Sequence, residues 1–588
     1  MSIFFSSFTK WNFAKCTNKS FNSLCYGVLS ERLNNGRVRC YSTKSQKLVV
    51  QKGKFIPFLE RINLRRAEAK RSIVVQVQSA QSFKELYTYC SSMGTVKCMF
   101  HYTTGVEPMH FIIIEFAEDS DLINVLSASS CSEENQAIPT QSQFLWFRAA
   151  SRKLGKLKQN KAVSLSSENA TNILNDDQIG DALRKCENVS EQMRELYSIT
   201  RLNDVGTRLR FLTARQIENA ISGMFPFARA YPFGSSVNGC GKMDCDLDLV
   251  LRLVDRKMDE DSRLIFHCKA PSGTERTMSQ RHMESMGDLI HFFLPGCTNV
   301  RRILQARIPI IKYHQQLTDV ECDLSMSNMS GVHMSDFLYL MGELDERVRP
   351  LIFTLRKWAR DIGLTNSSPK PLRSPPVLPS LNTLVKLAGP DDKYVTEDGI
   401  NCTFLRDMSK YDGKTANTES LESLLCEFFE FYSQFDFSKK AVCLNEAVAL
   451  TKPEHSAMYI VNPLERGLNV SKNVSLEEAE RFKTEVHNAL WVLESRENKV
   501  ENWGLLSIFE RKQRLSYNIN FPSSAKQGRL MEISTLFDEE KESSGDETEN
   551  KVEFKSDSIK QEVDRIKKTT REKINAHEGG IKRQKNRR

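Results

Sequence analysis

The sequence predicts an α/β architecture followed by a helical domain, with a small sheet-containing unit in front. Three observations predict it. Residues 71–128 order as β-α-β-β-α, residues 205–325 alternate helical and strand patterns, and residues 336–363 and 419–435 carry apolar side chains at helical spacing.

The front unit opens on Ile73-Val74-Val75-Gln76-Val77, a β-branched run that suits a strand. Ser82 with Glu85 three positions later has the form of a capping box, and Phe83, Leu86, Tyr87 and Cys90 then follow a helical period. Val96–Tyr102 and His110–Phe116 are two further strands, and Asp119 opens a second helix through Leu126. That order is the split ferredoxin-like plan shared by many RNA-recognition modules, which stack bases on strand aromatics. The third strand reads His-Phe-Ile-Ile-Ile-Glu-Phe-Ala, without the Gly/aromatic pattern that stacking needs. The exposed sheet face is therefore expected to serve protein contact and self-association.

Residues 150–180 are rich in Lys, Ser and Asn and read as a linker. A helix-rich stretch around Leu183, Met193, Leu196 and Tyr197 follows. Past residue 538 apolar periodicity is lost among charged residues, so 538–588 is expected to be a disordered tail. At the other end the first acidic residue is Glu31, after Lys10, Lys15 and Lys19 among many Ser, Phe and Asn. Basic, Ser-rich and acid-poor is the pattern of a mitochondrial transit peptide over 1–42, with a cut near Tyr41 or Ser42 behind Arg39, and the matrix as destination.

Composition narrows the class. The chain has 588 residues, enough for about four domain-sized units. Lys+Arg 83 against Asp+Glu 74 leaves +9, which permits a polyanionic partner without requiring one. No apolar run reaches the roughly 18 residues of a membrane span, so no insertion is expected. Fifteen Cys without a CxxC pair argue against a disulfide framework or zinc finger and for buried thiols.

The chemistry gathers at Phe233-Gly234-Ser235-Ser236-Val237 and Cys245-Asp246-Leu247-Asp248-Leu249-Val250-Leu251. Alternation puts Asp246 and Asp248 on one strand face, while Leu247, Leu249 and Leu251 point into a core. Two carboxylates that close stay ionised cheaply only beside cations, which is what a divalent metal site needs. A lone Asp-x-Asp is more often a solvated strand face. Here the Gly234 turn offers close-approach backbone and hydroxyls to phosphate, and Val320-Glu321-Cys322-Asp323-Leu324 offers a second acidic strand with Asp323 outward. Two metals about 3.5–4 Å apart on such a cluster activate a hydroxyl and stabilise a leaving pyrophosphate.

Gly234-Ser235-Ser236, Asp246-x-Asp248 and Asp323 resemble the signature of polymerase-β-type nucleotidyltransferases. Within that superfamily the chain is similar to mitochondrial poly(A) polymerases. The likeness runs through Phe144–Arg148, Asn238-Gly239-Cys240-Gly241-Lys242, Ile303–Pro309, the helix around Trp358, Pro375–Leu381, Asn401–Phe404 and Asn462–Asn473, over roughly residues 65–510. The resemblance implies a nucleotidyltransferase palm at 180–335, a helical central domain at 336–510 and the ferredoxin-like module at 60–145.

It further implies Asp246, Asp248 and Asp323 as ligands of Mg2+ or Mn2+. Gly234 and Ser235 would hold the β and γ phosphates of ATP. Arg356 and Arg360, one turn apart on a helix that buries Leu351, Leu355 and Trp358, would neutralise the triphosphate. The implied reaction is template-independent AMP transfer from ATP to mitochondrial RNA 3′ ends by a homodimer. Uridylyl or CCA addition, or a catalytically impaired RNA-binding partner, remain open because the carboxylates are common to all such enzymes. The pattern departs at one place: Lys370-Pro371-Leu372-Arg373 leads straight to Pro375-Pro376, and about twenty residues that begin a long apolar helix in the family have no counterpart. That departure predicts a weakly active or inactive chain.

Overall fold

The computed structural model describes residues 55–509 apart from 134–135, 140, 148–164, 167–172, 224, 254–274, 307, 327–328, 363–376, 397–398, 412, 414, 447 and 496–502. The leader at 1–42, the departure near 370 and the tail at 538–588 fall outside the described residues.

The chain enters through α1 (Phe58–Lys70), then β1 (Ser72–Val77), α2 (Phe83–Ser91), β2 (Val96–Thr104), β3 (Met109–Phe116) and α3 (Asp119–Ser127). A hairpin of β4 (Ser130–Glu133) and β5 (Gln136–Pro139) follows, then β6 (Phe144–Trp146) and β7 (Leu165–Ser166). The sheet order is β6-β1-β3-β2-β7, with β1, β3 and β2 antiparallel. Edge strand β6 runs parallel to β1, where a ferredoxin-like plan has an antiparallel strand. Ser82 does not cap α2 through its side chain: it closes a 3₁₀ turn over Ala80–Ser82 in helical backbone, a conformation outside the extended one an N-cap needs.

The sheet face expected to lie open is covered within the chain. Ile73, Val75, Ile112, Ile114 and Phe116 pack under α2 and α3. The opposite face, with Val74, Tyr102, Phe111 and Ile113, is buried by Phe58 and Ile62 of α1 and by Val205, Leu209 and Leu212 of a following helix. Both faces are apolar, so both must be buried, which leaves no platform for base stacking on this sheet.

Three helices follow: α4 (Asp176–Arg184), α5 (Val189–Thr200) and α6 (Asp204–Ile221). Asn175, Asn188 and Asn203 cap them, each side chain accepting a backbone N–H three residues on. Each such cap contributes about 1 kcal/mol. The second sheet is built from β8 (Arg229–Phe233), β9 (Leu247–Arg252), β10 (Cys297–Ile303), β11 (Ile310–Gln315) and β12 (Val320–Ser325). A one-turn α7 (Ser235–Asn238) follows β8, and α8 (Glu275–Phe293) precedes β10. The order is β10-β11-β12-β9-β8, and only β12–β9 is parallel. Leu247, Leu249, Leu251, Cys322 and Leu324 are fully buried against Met283, Met286 and Ile290 of α8 and Ile217 of α6. The outward residues of β9 and β12 are thereby held on the other face.

The remainder is mostly helical: α9 (Met329–Leu344), α10 (Val348–Asp361), α11 (Leu381–Leu387), α12 (Leu421–Gln434), a hairpin of β13 (Lys440–Cys443) and β14 (Val448–Thr451), α13 (Leu476–Glu494) and α14 (Leu505–Phe509). The helical stretch expected at 336–363 falls in two helices, α9 and α10. Asp345 accepts from the Arg347 N–H at 2.9 Å, and Pro350, in the first turn of α10, cannot continue a preceding helix. Leu351, Leu355 and Trp358 of α10 are buried with Phe428 and Phe429 of α12 and Phe482 of α13. Trp358 meets Phe429 edge-on at 4.9 Å. Helices α4 and α5 contribute Leu183, Met193 and Leu196 to this same core.

Candidate active site

The site begins at the end of β8. Gly234 has φ +75° and ψ −156°, a backbone region essentially reserved to glycine. A β-carbon there would lie 2.3 Å from Asp248 Oδ2. The chain can therefore turn directly over the carboxylate only because residue 234 has no side chain. Its N–H donates to Ser335 Oγ at 2.7 Å, which ties the turn to α9. Ser235 opens α7, and its hydroxyl bonds the buried Cys245 thiol, which burial pushes up in pKa.

Asp248 lies on β9 directly opposite Asp323 on parallel β12. Asp246 immediately precedes β9 and is exposed, whereas Asp248 and Asp323 are half-buried. The loop that presents Asp246 is held by Arg210, buried on α6, which donates to the carbonyls of Gly206, Met243 and Cys245. Burial, with Asp246 and then Asp323 nearby, pushes the Asp248 carboxyl up to about 7 against the opposing pull of Lys312. Lys312, opposite Asp323 on β11, donates to Asp323 Oδ2 at 2.5 Å.

Two carboxylates on adjacent strands, with a third on the loop just before β9, are a hard-oxygen donor set that suits Mg2+ or Mn2+ rather than a softer metal. Their mutual repulsion, visible at Asp248, is the penalty that a cation relieves. In this conformation Lys312 takes the cation's part at Asp323, and among the described residues no three acidic, His or Cys side chains close into a finished cage.

Arg356 and Arg360 are both exposed on α10, above the buried Leu351, Leu355 and Trp358. Arg356 is not free, as its position on the outer face suggests, but donates to the Cys240 carbonyl at 2.6 Å. It thus joins the helical lobe to the loop behind the Gly234 turn. Arg360 lies 3.8 Å from Asp361, a loose contact in solvent. The loop at 462–473 is built around buried Asn469. Its Oδ1 accepts from the N–H groups of Ile460 and Ser471 and from Ser471 Oγ, and its Nδ2 donates to the Met458 carbonyl at 3.0 Å. Asn462 likewise accepts from the N–H groups of Leu464 and Glu465.

Lys312, Ser335 and Arg210 are positioning groups that motif reading does not reach. The alternation Ile311-Lys312-Tyr313 signals only that Lys312 points away from the core.

Two family models match the chain. One, for the central palm domain of mitochondrial-like poly(A) RNA polymerase, covers residues 189–343. The other, for Cid1 family poly(A) polymerase, covers 420–477. The mitochondrial poly(A) RNA polymerase of Drosophila melanogaster is 45% identical over 557 residues, spanning 88% of this chain and 90% of that one. Its Homo sapiens counterpart is 33% identical over 484 residues, spanning 77% and 80%. Among solved structures, the crystal structure of mtPAP in complex with UTP superimposes with a TM-score of 0.68 at 32% identity, covering 77% of this chain and 99% of that one. The crystal structure of mtPAP in complex with ATPγS matches equally, at 0.68 and 31% identity with the same coverage. With 45% identity across nearly its whole length and a palm that superimposes on mtPAP, this chain belongs to the mitochondrial poly(A) RNA polymerase family of enzymes, built on a polymerase-β-like nucleotidyltransferase palm.

Proposed function

We propose that this chain extends the 3′ ends of mitochondrial RNA in the matrix, transferring AMP from ATP and releasing pyrophosphate. The observation that carries the reading is the register pairing of Asp248 with Asp323 beneath the Gly234 turn. The RNA 3′-oxygen attacks the α-phosphorus of ATP, the bond from that phosphorus to the bridging oxygen breaks, and pyrophosphate leaves with the electron pair. The hydroxyl proton passes to a carboxylate of the acidic cluster. Asp246, Asp248 and Asp323 would hold divalent cations, which supply charge neutralisation at both oxygens when bound.

The other contributions come from the chain itself. Gly234 lets backbone and the Ser235 hydroxyl approach the β and γ phosphates beside Asp248. Arg356 and Arg360 present two guanidiniums one turn apart, a spacing suited to a triphosphate. Their positive charge favours the transition state, where charge builds on the leaving pyrophosphate, more than ground-state ATP. The domain assignment that accompanies this reading is a module at 60–145, a palm at 180–335 and a helical domain at 336–510. A homodimer is part of the proposal. Its contacts would lie outside the sheet faces of the module, which are used within the chain.

The test is extension of a labelled oligoribonucleotide by the purified protein with each of the four NTPs. ATP-dependent lengthening supports the proposal. Lengthening by UTP alone, or none with any NTP, refutes it.

A further inference from the structure

Against the loop that follows the Gly234 turn lies a cavity of about 260 Å³, which none of the three aspartates lines. Four guanidiniums reach it, from Arg61 and Arg65 on α1, Arg201 just after α5, and Arg349 on α10. Tyr197, Tyr339 and the Ser235–Ser236 end of α7 complete the polar wall, and none of the lining residues is acidic. Two of the cations are neutralised: Arg65 by Glu68 and Asp204 at 2.8 and 2.6 Å, and Arg349 by Glu343 at 2.7 Å. The other two are not. Arg61 lies 5.6 Å from the centre of the Tyr339 ring and Arg201 5.5 Å from that of Tyr197, and neither has a carboxylate partner among the described residues.

Convergence of like charges on one concavity is unfavourable unless an anion joins them. We propose that this cavity binds a phosphate group of the RNA strand, as a site separate from the triphosphate site of ATP. Of the residues assigned to the metal and triphosphate sites only Ser235 lines it; the Asp cluster, Gly234, Arg356 and Arg360 do not. Guanidiniums interleaved with aromatic rings are the chemistry of a single-stranded backbone. The wall it shares with the active site is the Ser235–Gly241 loop. Arg349 packs against that loop so closely that a β-carbon at Gly239 would lie 2.6 Å from its Nε. RNA held here is thereby positioned against the turn that carries the nucleotide. The inference rests on the nucleotidyltransferase reading only for the presence of RNA.

Arg61 and Arg201 are exposed, so Arg61→Gln and Arg201→Gln remove charge at the surface, with the loss of one 3.4 Å hydrogen bond from Arg61 to the Tyr339 hydroxyl. The experiment compares wild type, the double Gln variant and the double Lys variant for binding of fluorescent oligo(A), across a salt series, with ATP KM measured alongside. The double Gln variant is expected to bind oligo(A) about tenfold more weakly, with a salt slope shallower by about one to two contacts. Its ATP KM and melting temperature stay unchanged, and the Lys variant recovers the salt slope. Inorganic phosphate at millimolar concentration, as the free-anion probe, should not displace the oligonucleotide. Unchanged oligo(A) affinity and slope in the Gln variant would overturn the proposal. So would a raised ATP KM with unchanged RNA binding, which assigns the cavity to the triphosphate, or displacement by phosphate alone, which makes it a free-anion site. Failure here leaves ATP-dependent extension by the Asp cluster standing, so the two readings fail separately.

Discussion

Gly234→Ala is the substitution with the most direct geometric consequence. The residue occupies φ +75°, ψ −156°, where any side chain costs about 1–3 kcal/mol in backbone strain. The added carbon would also sit 2.3 Å from Asp248 Oδ2 and 3.3 Å from its Cγ. Phe233 before it is paired opposite Asp248 and Ser235 after it opens α7, so the backbone cannot retreat without disturbing the ladder or the helix. The carboxylate must therefore move by about 1 Å, a displacement that lowers turnover about a hundredfold in a site built on positioning. The assay is ATP-dependent extension of a labelled oligo(A) at saturating ATP, with a melting curve on the same samples. A rate within about threefold of wild type would refute the argument, because half a decade of rate is less than 1 kcal/mol of barrier. A second check is non-additivity: the Gly234→Ala change should cost little more in an Asp248→Asn background, since both act on one carboxylate.

Asp248→Asn should remove AMP transfer yet stabilise the fold at neutral pH. The folded carboxyl is raised from 3.8 to about 7, so ionising it opposes folding. Stability from this group is greatest below about pH 4 and falls as pH rises toward 7. In metal-free buffer the variant should melt above wild type at pH 8 and level with it near pH 4; a gain that is larger at pH 4 contradicts the sign. Arg356→Ala and Arg360→Ala should each raise ATP KM and lower kcat, about 10-fold or more for a lost charged phosphate contact, and a KM within twofold for both would remove them from the triphosphate site. Asn469→Asp sets a carboxylate oxygen against the Met458 carbonyl where an N–H now donates, a buried mismatch of about 1–3 kcal/mol that should lower the melting temperature. Unchanged melting would show that the loop at 462–473 does not depend on this residue.

The acidic strands were legible in the sequence because a period of two is local: Leu247, Leu249 and Leu251 bury themselves and leave Asp248 outward. Gly234 was legible as a turn, but not the reason for the glycine, since Asp248 reaches it only through antiparallel pairing of β8 with β9. Lys312 was not legible as the partner of Asp323, because that contact depends on the register of β11 against β12. The covered sheet face was missed for a similar reason. Its lid, α1, buries only Phe58, Ile62 and Ala69 in a run of charged residues, so its apolar stripe is too narrow to announce a core helix. Arg61 and Arg201 lie far apart in the chain and meet only in the fold. The helical character of 336–363 was legible, but not the break between α9 and α10, because periodicity survives a short break, whereas the Asp345–Arg347 contact at the break is tertiary in effect: Arg347 also donates to Asn417 at 2.7 Å.

The central claim is that Asp246, Asp248 and Asp323 form the centre that transfers AMP. Asp323→Ala tests it most directly, measured as ATP-dependent extension of oligo(A) beside wild type, with circular dichroism to establish that the sheet is intact. The account predicts no detectable extension by the variant, because losing a ligand of the reacting cation costs several kcal/mol of barrier. A correctly folded variant that retains more than about a tenth of the wild-type rate would contradict it.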